Sequence, residues 1–313
     1  MTRDEALAKG RAAHGANAWS AARSHLAHAD GQEPLGPPDL ELLAEAAFLA
    51  GHEQEAIAAW TRAHRAWLAE GLTARAVRPA FWITLTLELR GDEAQAGGWL
   101  ARAERLVDEA GSDCVEAGYL LFLVGMGQLL GGDPSSASAS LQQATNLGRR
   151  FDDPDLLAFA LMGSGQSLIW LGQSADGLAL LDEAMVSVTA GEVSPIAAGL
   201  VYCALIEACH DSFDVRRARE WTRALTDWCA AQPISSPTAA PASSTGPRSC
   251  CCEGSGTMRA RRRRTLRSIW RASRPPATPT TSGPRSTGCG AKPSRPRRPT
   301  DWRVTWAAPP NRV

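Results

Sequence analysis

The residues best suited to chemistry in this sequence are three adjacent cysteines, Cys250, Cys251 and Cys252, in the stretch RSCCCEGSGT. Thiolates at this density would serve a soft metal ion or a redox reaction. A structural zinc site, however, uses pairs of ligands that are separated by about two residues and repeated further along the chain. The run has neither the gap nor a second pair, so we predict no metal site and no evolved role for it.

Two further motifs resemble reactive sites but are better explained by helix structure. His25 and His28 are three residues apart in helical sequence, and we interpret them as a solvated pair rather than as ligands. MGSGQS (162–167) lacks the lysine of a phosphate-binding loop and the G-x-S-x-G spacing of a nucleophile elbow. Its small residues predict the close approach of a neighbouring helix. We find no nucleophile–base pair and no cofactor motif, and therefore predict that the protein is not an enzyme.

Acidic residues in two loops have both a structural and a functional interpretation. Asp152, Asp153 and Asp155 lie in RRFDDPDLL, where an aspartate ahead of an apolar run favours capping of a helix over a cation site. Glu192 lies in TAGEVSPI, between two predicted helix pairs. Loops on a rigid scaffold often carry binding residues. We therefore retain Glu192 as a possible contact with a partner.

The composition divides the chain of 313 residues near residue 233. Residues 233–313 contain 16 basic and 2 acidic side chains and 13 of the 20 prolines, whereas residues 1–232 contain 17 basic and 31 acidic side chains. A segment with so many prolines and so few large apolar residues does not bury enough surface to offset the entropy lost on folding. We predict a folded domain over 1–232 and a disordered tail over 233–313.

The sequence contains no pattern that would direct the protein to a membrane or to secretion. No apolar run approaches the ~18–20 residues that span a bilayer, and the polar N-terminus MTRDEALAKG lacks the apolar stretch of a signal peptide. We expect a cytoplasmic protein with reduced thiols. Cys114, Cys203, Cys209 and Cys229 stand in apolar helical sequence, which predicts small buried side chains.

Residues 1–232 repeat with a period of about 40. Four segments align without gaps: FLAGHEQEAIAAWTRAH (48–64), ELRGDEAQAGGWLARAE (88–104), LLGGDPSSASASLQQAT (129–145) and WLGQSADGLALLDEAMV (170–186). Their shared turn glycines are Gly51, Gly91, Gly132 and Gly172, and a fifth copy has Phe213 in that position. The glycine ends one apolar helix because it tolerates the left-handed conformation, and a polar turn then starts a second helix.

Helical hairpins at this period predict an all-α fold, an α-solenoid of about six stacked hairpins, because neither helix of a pair can bury its apolar face alone. The predicted pairs are 2–29, 38–70, 73–110, 114–149, 155–189 and 195–231. Large indoles recur in them, and we interpret these as packing between repeats: Trp60, Trp82, Trp99, Trp170 and Trp221. Trp82 and Trp99 are in addition possible contacts of a partner in the groove of the solenoid.

A shift of reading frame explains the cysteine run. The repeat period places the next turn glycine near residue 254, and Gly254 stands in non-helical sequence. Reading Arg248 to Arg261 from the third codon base gives, with G+C-rich codons, Val-Leu-Leu-Leu-Arg-Gly-Glu-Trp-Asp-Asp-Ala-Arg-Ala. This resembles the repeat sequence TLELRGDEAQAGG. We hypothesise that residues from about Ile234 onward are translated out of frame. RARRRR (259–264) is then a by-product of arginine-rich codons rather than a nucleic-acid site.

Two segments carry a more specific resemblance. FWITLTLELRGDEAQAGGWLARAERLVDEAGSDCVEAGYLL (81–121) and GLALLDEAMVSVTAGEVSPIAAGLVYCALIEACHDSFDVRRAREWTRALTDWCAAQP (177–233) resemble the tetratricopeptide-type (TPR) repeat region of actinobacterial LuxR-family transcriptional regulators. The resemblance implies TPR-like hairpins that sense a protein or small-molecule effector in the groove, and a C-terminal helix-turn-helix that binds DNA. No segment of the chain resembles its recognition helix, so we expect specific DNA binding only of that missing domain.

Two functional hypotheses follow from the sequence. The first is a truncated LuxR-type regulator that keeps its sensing solenoid without its DNA-binding domain. The second is a free-standing scaffold that binds a protein or peptide on its concave face. Neither hypothesis requires a cofactor, a metal ion or a membrane.

Overall fold

The computed structural model describes residues 1–111 and 113–231. These residues form twelve α-helices: α1 (Arg3–Gly15), α2 (Trp19–Gln32), α3 (Pro37–Leu49), α4 (Glu53–Ala69), α5 (Thr73–Arg90), α6 (Glu93–Ala110), α7 (Val115–Leu130), α8 (Pro134–Phe151), α9 (Pro154–Trp170), α10 (Ser174–Ala190), α11 (Pro195–Asp211) and α12 (Val215–Ala231). No strand occurs in this part of the chain, which confirms the all-α prediction. The predicted disordered tail, the cysteine run and the shifted reading frame lie outside the described residues.

The twelve helices pair into six hairpins, α1–α2 through α11–α12, and each hairpin packs on its neighbours in the sequence. The first helices of successive hairpins also contact one another: α5 contacts α7, α7 contacts α9, and α9 contacts α11. This stacking is the α-solenoid that the repeat predicted. None of the helices among the described residues combines the length and the apolar character that crossing a membrane requires.

The turn inside a hairpin ends its first helix with a left-handed residue. Gly51, Gly91, Gly132 and Gly172 have φ angles of 82°, 84°, 85° and 84°. At the end of α5, the amide of Gly91 donates to the carbonyl of Glu88 and the amide of Asp92 donates to the carbonyl of Leu87. These two hydrogen bonds satisfy carbonyl groups that would otherwise have no partner at the end of the helix. The repeated glycine is thus required by the backbone conformation of the turn.

Phe213 occupies the same turn position in the sixth hairpin with a φ of 58° and is 88% exposed. A side chain with a Cβ in this conformation costs about 1–2 kcal/mol, and the exposed ring recovers little of that cost by packing. We therefore expect Phe213→Gly to raise the free energy of unfolding by about 1 kcal/mol, measured by urea denaturation and circular dichroism. Phe213→Ala keeps the Cβ and should give no such gain. Equal stabilisation by the two variants would contradict the strain argument.

The helices α8 and α9 each begin with an aspartate whose side chain caps the helix. Asp133 accepts a hydrogen bond from the amide of Ser136 at 3.0 Å, and Asp153 accepts one from the amide of Leu156 at 2.9 Å. Pro134 and Pro154 follow these caps at the first helical position. Proline suits that position because its missing N–H would have no partner within the helix. Asp153 therefore has the capping role that its sequence position predicts.

Two predictions about individual side chains are wrong. Trp170 is 54% exposed, so it does not pack between repeats in the manner of Trp60, which is 2% exposed. Cys203 is exposed and is not a small buried residue, whereas Cys209 is buried. Both errors have one cause. Helical periodicity shows which residues share a face, but only the neighbouring helices decide which face they cover.

Candidate functional site

A cavity of about 180 Å³ opens where the first helices of several hairpins face one another. Its lining comes from the second, third, fifth and sixth hairpins: Glu41, Glu45, Trp60, Arg78, Trp82, Asp155, Ser194 and Ile196. Trp82, one of the three predicted contacts, is part of this lining. Trp99 and Glu192, the other two, are not. We call these eight residues the groove cavity.

Apolar and aromatic side chains hold the wall of the groove cavity in place. The indole of Trp60 on α4 lies 6.1 Å from the indole of Trp82 on α5, with an angle of 14° between the rings. Phe159 on α9 contacts Trp82 at 6.1 Å in an edge-to-face arrangement. Ile196, at the start of α11, belongs to the same apolar cluster as Ile83 on α5. The sixth hairpin therefore meets the second and third across the cavity.

A polar network of Arg78, Tyr119 and Asp153 connects three hairpins beside the cavity. The guanidinium of Arg78 donates to the Tyr119 hydroxyl and to Asp153 Oδ2, each at 2.9 Å, and it lies 3.9 Å from the centre of the Tyr119 ring. The Tyr119 hydroxyl donates to Asp153 Oδ1 at 2.7 Å. Burial raises the pKa of Tyr119, so this hydroxyl stays protonated and remains a donor.

Two half-buried carboxylates of the groove cavity, those of Glu41 and Asp155, have protein partners that leave their charge poorly compensated. Glu41 accepts a hydrogen bond from the indole nitrogen of Trp67, and Asp155 accepts one from the backbone amide of Ser194 at 2.6 Å. Burial raises the pKa of both Glu41 and Asp155, despite these bonds and the nearby charge of Arg78. A neutral donor satisfies a lone pair of a carboxylate but does not balance its charge.

Trp99 lies outside the groove cavity and takes part in a second buried cluster. Its ring contacts the imidazole of His64 edge-to-face at 5.2 Å. His64 is fully buried; its Nδ1 lies 2.7 Å from the carbonyl oxygen of Ala76, and its Nε2 lies 2.8 Å from Nε of Arg102. Since Arg102 can only donate, Nε2 of His64 accepts and Nδ1 carries the proton. This arrangement fixes one neutral tautomer of His64.

The neutral state of His64 predicts a loss of stability in mild acid. Burial, helped by the charges of Arg102 and Arg65, lowers the pKa of His64 below 6.5, although the bond to Ala76 opposes the shift. Below about pH 6.5 the imidazole of the unfolded chain takes up a proton while the native imidazole stays neutral. The free energy of unfolding therefore decreases as the pH is lowered, by up to about 1.4 kcal/mol per pH unit.

Urea denaturation at about pH 7.5, 6.5 and 5.5 tests this linkage, with His64→Gln as the variant that removes the titrating group. We expect the unfolding free energy of His64→Gln to depend less on pH than that of the unmodified protein. His210→Gln is the matched control, since His210 is exposed, and it should keep the original dependence. The same slope in all three proteins would show that His64 is not the titrating group.

The sequence singled out one member of the groove cavity as a contact and missed most of the others. Arg78 and Glu41 are charged residues on the apolar faces of α5 and α3. A charge on an apolar face can indicate a binding site, but the alignment of the repeats does not reveal it. Asp155 was predicted only as a helix-start residue, but its carboxylate bonds to Ser194, 39 residues further on. Glu192 is exposed and follows Gly191, which ends α10 in a left-handed conformation with φ of 73°.

The acidic loop residues do not converge on a metal site. Residues 1–111 and 113–231 contain no group of three or more His, Cys, Asp or Glu side chains placed to hold a metal ion. Within this range, the aspartates 152, 153 and 155 have separate environments rather than a shared ion. Asp153 bonds to Arg78 and Asp155 to Ser194, while Asp152 ends α8 with a φ of 51°.

Comparisons with known proteins add a distant structural likeness. No family model matches the chain, and no curated protein sequence matches it. A solved structure, the crystal structure of the apo form of RapI, is similar with a TM-score of 0.40 and 12% sequence identity, over 70% of this chain and 62% of that chain. The match therefore spans less than two thirds of RapI. The assignment to helical-repeat folds rests on the six hairpins described above.

Proposed function

We propose that residues 1–232 form a non-enzymatic interaction module whose partner enters the groove cavity. This proposal depends on one observation, namely that four hairpins contribute side chains to the lining of one concave site. Repeat proteins bind partners on such surfaces because stacked units place many side chains along one face. The polar groups of the network formed by Arg78, Tyr119 and Asp153 bond to one another, which supports a structural role for them rather than a catalytic one.

A finer proposal follows from the resemblance of the repeats to the sensing region of LuxR-type regulators. In that case the groove cavity would receive the effector, and the protein would act in the cytoplasm together with a DNA-binding domain. The alternative is a free-standing scaffold that binds a protein or peptide at the same place. Both proposals place the end of the interaction module at residue 232, because the last repeat of the amino-acid sequence lies before this residue.

The interaction module is tested by selecting peptides against the full chain. Peptides enriched from a displayed random library are titrated against the unmodified protein and Glu45→Arg, which places a long side chain at the lining of the groove cavity. Glu109→Arg, at an exposed position on α6, is the matched control. We expect at least about a tenfold loss of affinity in the first variant and none in the second. Undiminished binding to Glu45→Arg would contradict a groove site.

The two finer proposals are separated by the nucleotide sequence of the gene. A shifted frame that encodes further helical repeats after codon 234, followed by a LuxR-type helix-turn-helix, would support the regulator. DNA that encodes neither would support the free-standing scaffold. The result is independent of the peptide experiment, because it concerns the coding sequence rather than the groove.

A further inference from the structure

We propose that the groove cavity binds an organic cation, namely an ammonium or guanidinium group carried on an apolar stem. This inference rests on the proposed interaction module and names the chemistry of its ligand. The group comes either from a lysine or arginine side chain of a partner peptide or from a free amine. Both sources present the same charge and the same apolar stem to the cavity.

The charges at the wall favour a cation. Glu41, Glu45 and Asp155 contribute three carboxylates from α3 and α9, and Arg78 is the cationic side chain among the eight lining residues. The guanidinium of Arg78 already pairs with Asp153, outside the lining, at 2.9 Å. Its charge is therefore shared between Asp153 and the cavity. Glu45 lies 3.0 Å from His14 Nε2, whereas Glu41 and Asp155 bond to neutral donors, so these two carboxylates carry the excess of negative charge at the lining.

The aromatic part of the wall suits the same ligand. Trp60 and Trp82 both line the cavity, and indole is the aromatic ring that attracts cations most strongly through its negative face. The indoles also provide apolar surface for the methylene groups next to the charge. A volume of about 180 Å³ exceeds the roughly 30 Å³ that one water occupies in the liquid, so a group of several heavy atoms fits.

Two of the carboxylates would gain from a bound cation. Glu41 and Asp155 are partly withdrawn from water, and their hydrogen bonds come from the neutral indole of Trp67 and the neutral amide of Ser194. The withdrawal from water also raises the pKa values of both side chains, since burial disfavours the charged carboxylate form. A cation between them supplies the charge that these neutral donors lack.

An anionic ligand fits less well, although an arginine is present. Both terminal nitrogens of Arg78 donate to protein oxygens, those of Tyr119 and Asp153. Three of the five N–H donors of Arg78 remain, and among the described residues its Nε has no hydrogen-bond partner. A phosphate or carboxylate ligand that used them would share the cavity with the carboxylates of Glu41, Glu45 and Asp155. Like charges disfavour such binding.

The test compares three small probes by calorimetric titration of the full chain at about pH 7.5. This pH is about three units above the ordinary pKa of an aspartate or glutamate side chain, which allows for the raised pKa values of Glu41 and Asp155. Nα-acetyl-lysine N-methylamide represents a peptide side chain, and 1-aminobutane represents a free amine. Nα-acetyl-norleucine N-methylamide is the neutral control of similar size. We expect saturable binding of at least one cationic probe and at least about tenfold weaker binding of the neutral one.

Two variants then locate the site. Glu41→Gln and Asp155→Asn keep a carbonyl oxygen that can accept from Trp67 and from the Ser194 amide, so circular dichroism should show the native helical content. Each should weaken the binding of the cation at least about tenfold. Glu192→Gln removes an exposed carboxylate outside the lining and should leave the affinity unchanged.

Every outcome decides for or against the cation. Binding of the lysine derivative alone assigns the site to a peptide side chain, and binding of the amine alone assigns it to a free amine. Absence of saturable binding, equal binding of the neutral probe, or full affinity in both carboxamide variants would overturn the inference. Peptides without basic residues that bind at the groove in the selection would overturn it too, while the interaction module would stand.

Discussion

Asp153→Ala is expected to lower the free energy of unfolding by about 4 kcal/mol. The carboxylate makes three contacts at once. It caps α9 through the Leu156 amide, accepts the Tyr119 hydroxyl and pairs with Arg78, 75 residues earlier in the chain. Its removal leaves a guanidinium that is only 25% exposed without its counter-ion, and a buried hydroxyl without its acceptor.

The contributions of charge and cap can be separated by two further variants. Asp153→Asn retains a side-chain oxygen for the cap but loses the charge, and we expect a loss of about 2 kcal/mol. Asp133→Ala removes the corresponding cap of α8 and should cost about 1 kcal/mol. Urea denaturation followed by circular dichroism measures all three. Similar losses for Asp153→Ala and Asp133→Ala would show that the network with Arg78 contributes little.

Gly165→Ala is expected to lower the free energy of unfolding by about 2–3 kcal/mol. Gly165 on α9 faces Gly177 on α10, where the two backbones cross. A Cβ added at Gly165 would lie 2.6 Å from the Gly177 carbonyl oxygen and 2.9 Å from Cγ of Leu181. A backbone oxygen cannot rotate away as a flexible side chain can, so the two helices must separate and the packed core of the fifth hairpin loosens.

Gly199→Ala provides the matched control for this crossing. Gly199 is also helical, on α11, but a Cβ there would meet no atom within 4 Å. Its replacement should raise stability by about 0.5–1 kcal/mol, because alanine loses less backbone entropy on folding. The two glycines therefore predict changes of opposite sign in the same measurement. A gain for both variants would mean that α9 and α10 tolerate a wider crossing than the structure shows.

The small residues of MGSGQS illustrate how far the sequence alone could reach. Their type predicts a close helix crossing, and the structure confirms it by placing Gly165 against Gly177. The partner of the crossing was not predictable, because any neighbouring helix with a small residue would satisfy the pattern. The same holds for Trp82, whose type suggested a contact but whose neighbours Trp60 and Phe159 come from different hairpins.

The groove cavity required the tertiary structure. Glu41 and Asp155 lie more than a hundred positions apart in the sequence, and neither belongs to a motif with fixed spacing. They line the same cavity because the stacking of the hairpins brings α3 and α9 to one concave site. A single sequence does not reveal how the hairpins stack.

The helices, the hairpin turns and the period could all be predicted from local sequence. These features depend on residues within about five positions of one another: an amide bonds to a carbonyl four residues back, Asp153 caps the helix that it precedes, and Gly91 ends the helix that it follows. Which faces are covered and which charges meet became clear only from the packed helices. Trp170 is exposed, Trp60 is buried, and Arg78 pairs with Asp153, since those outcomes depend on contacts between helices that are distant in the chain.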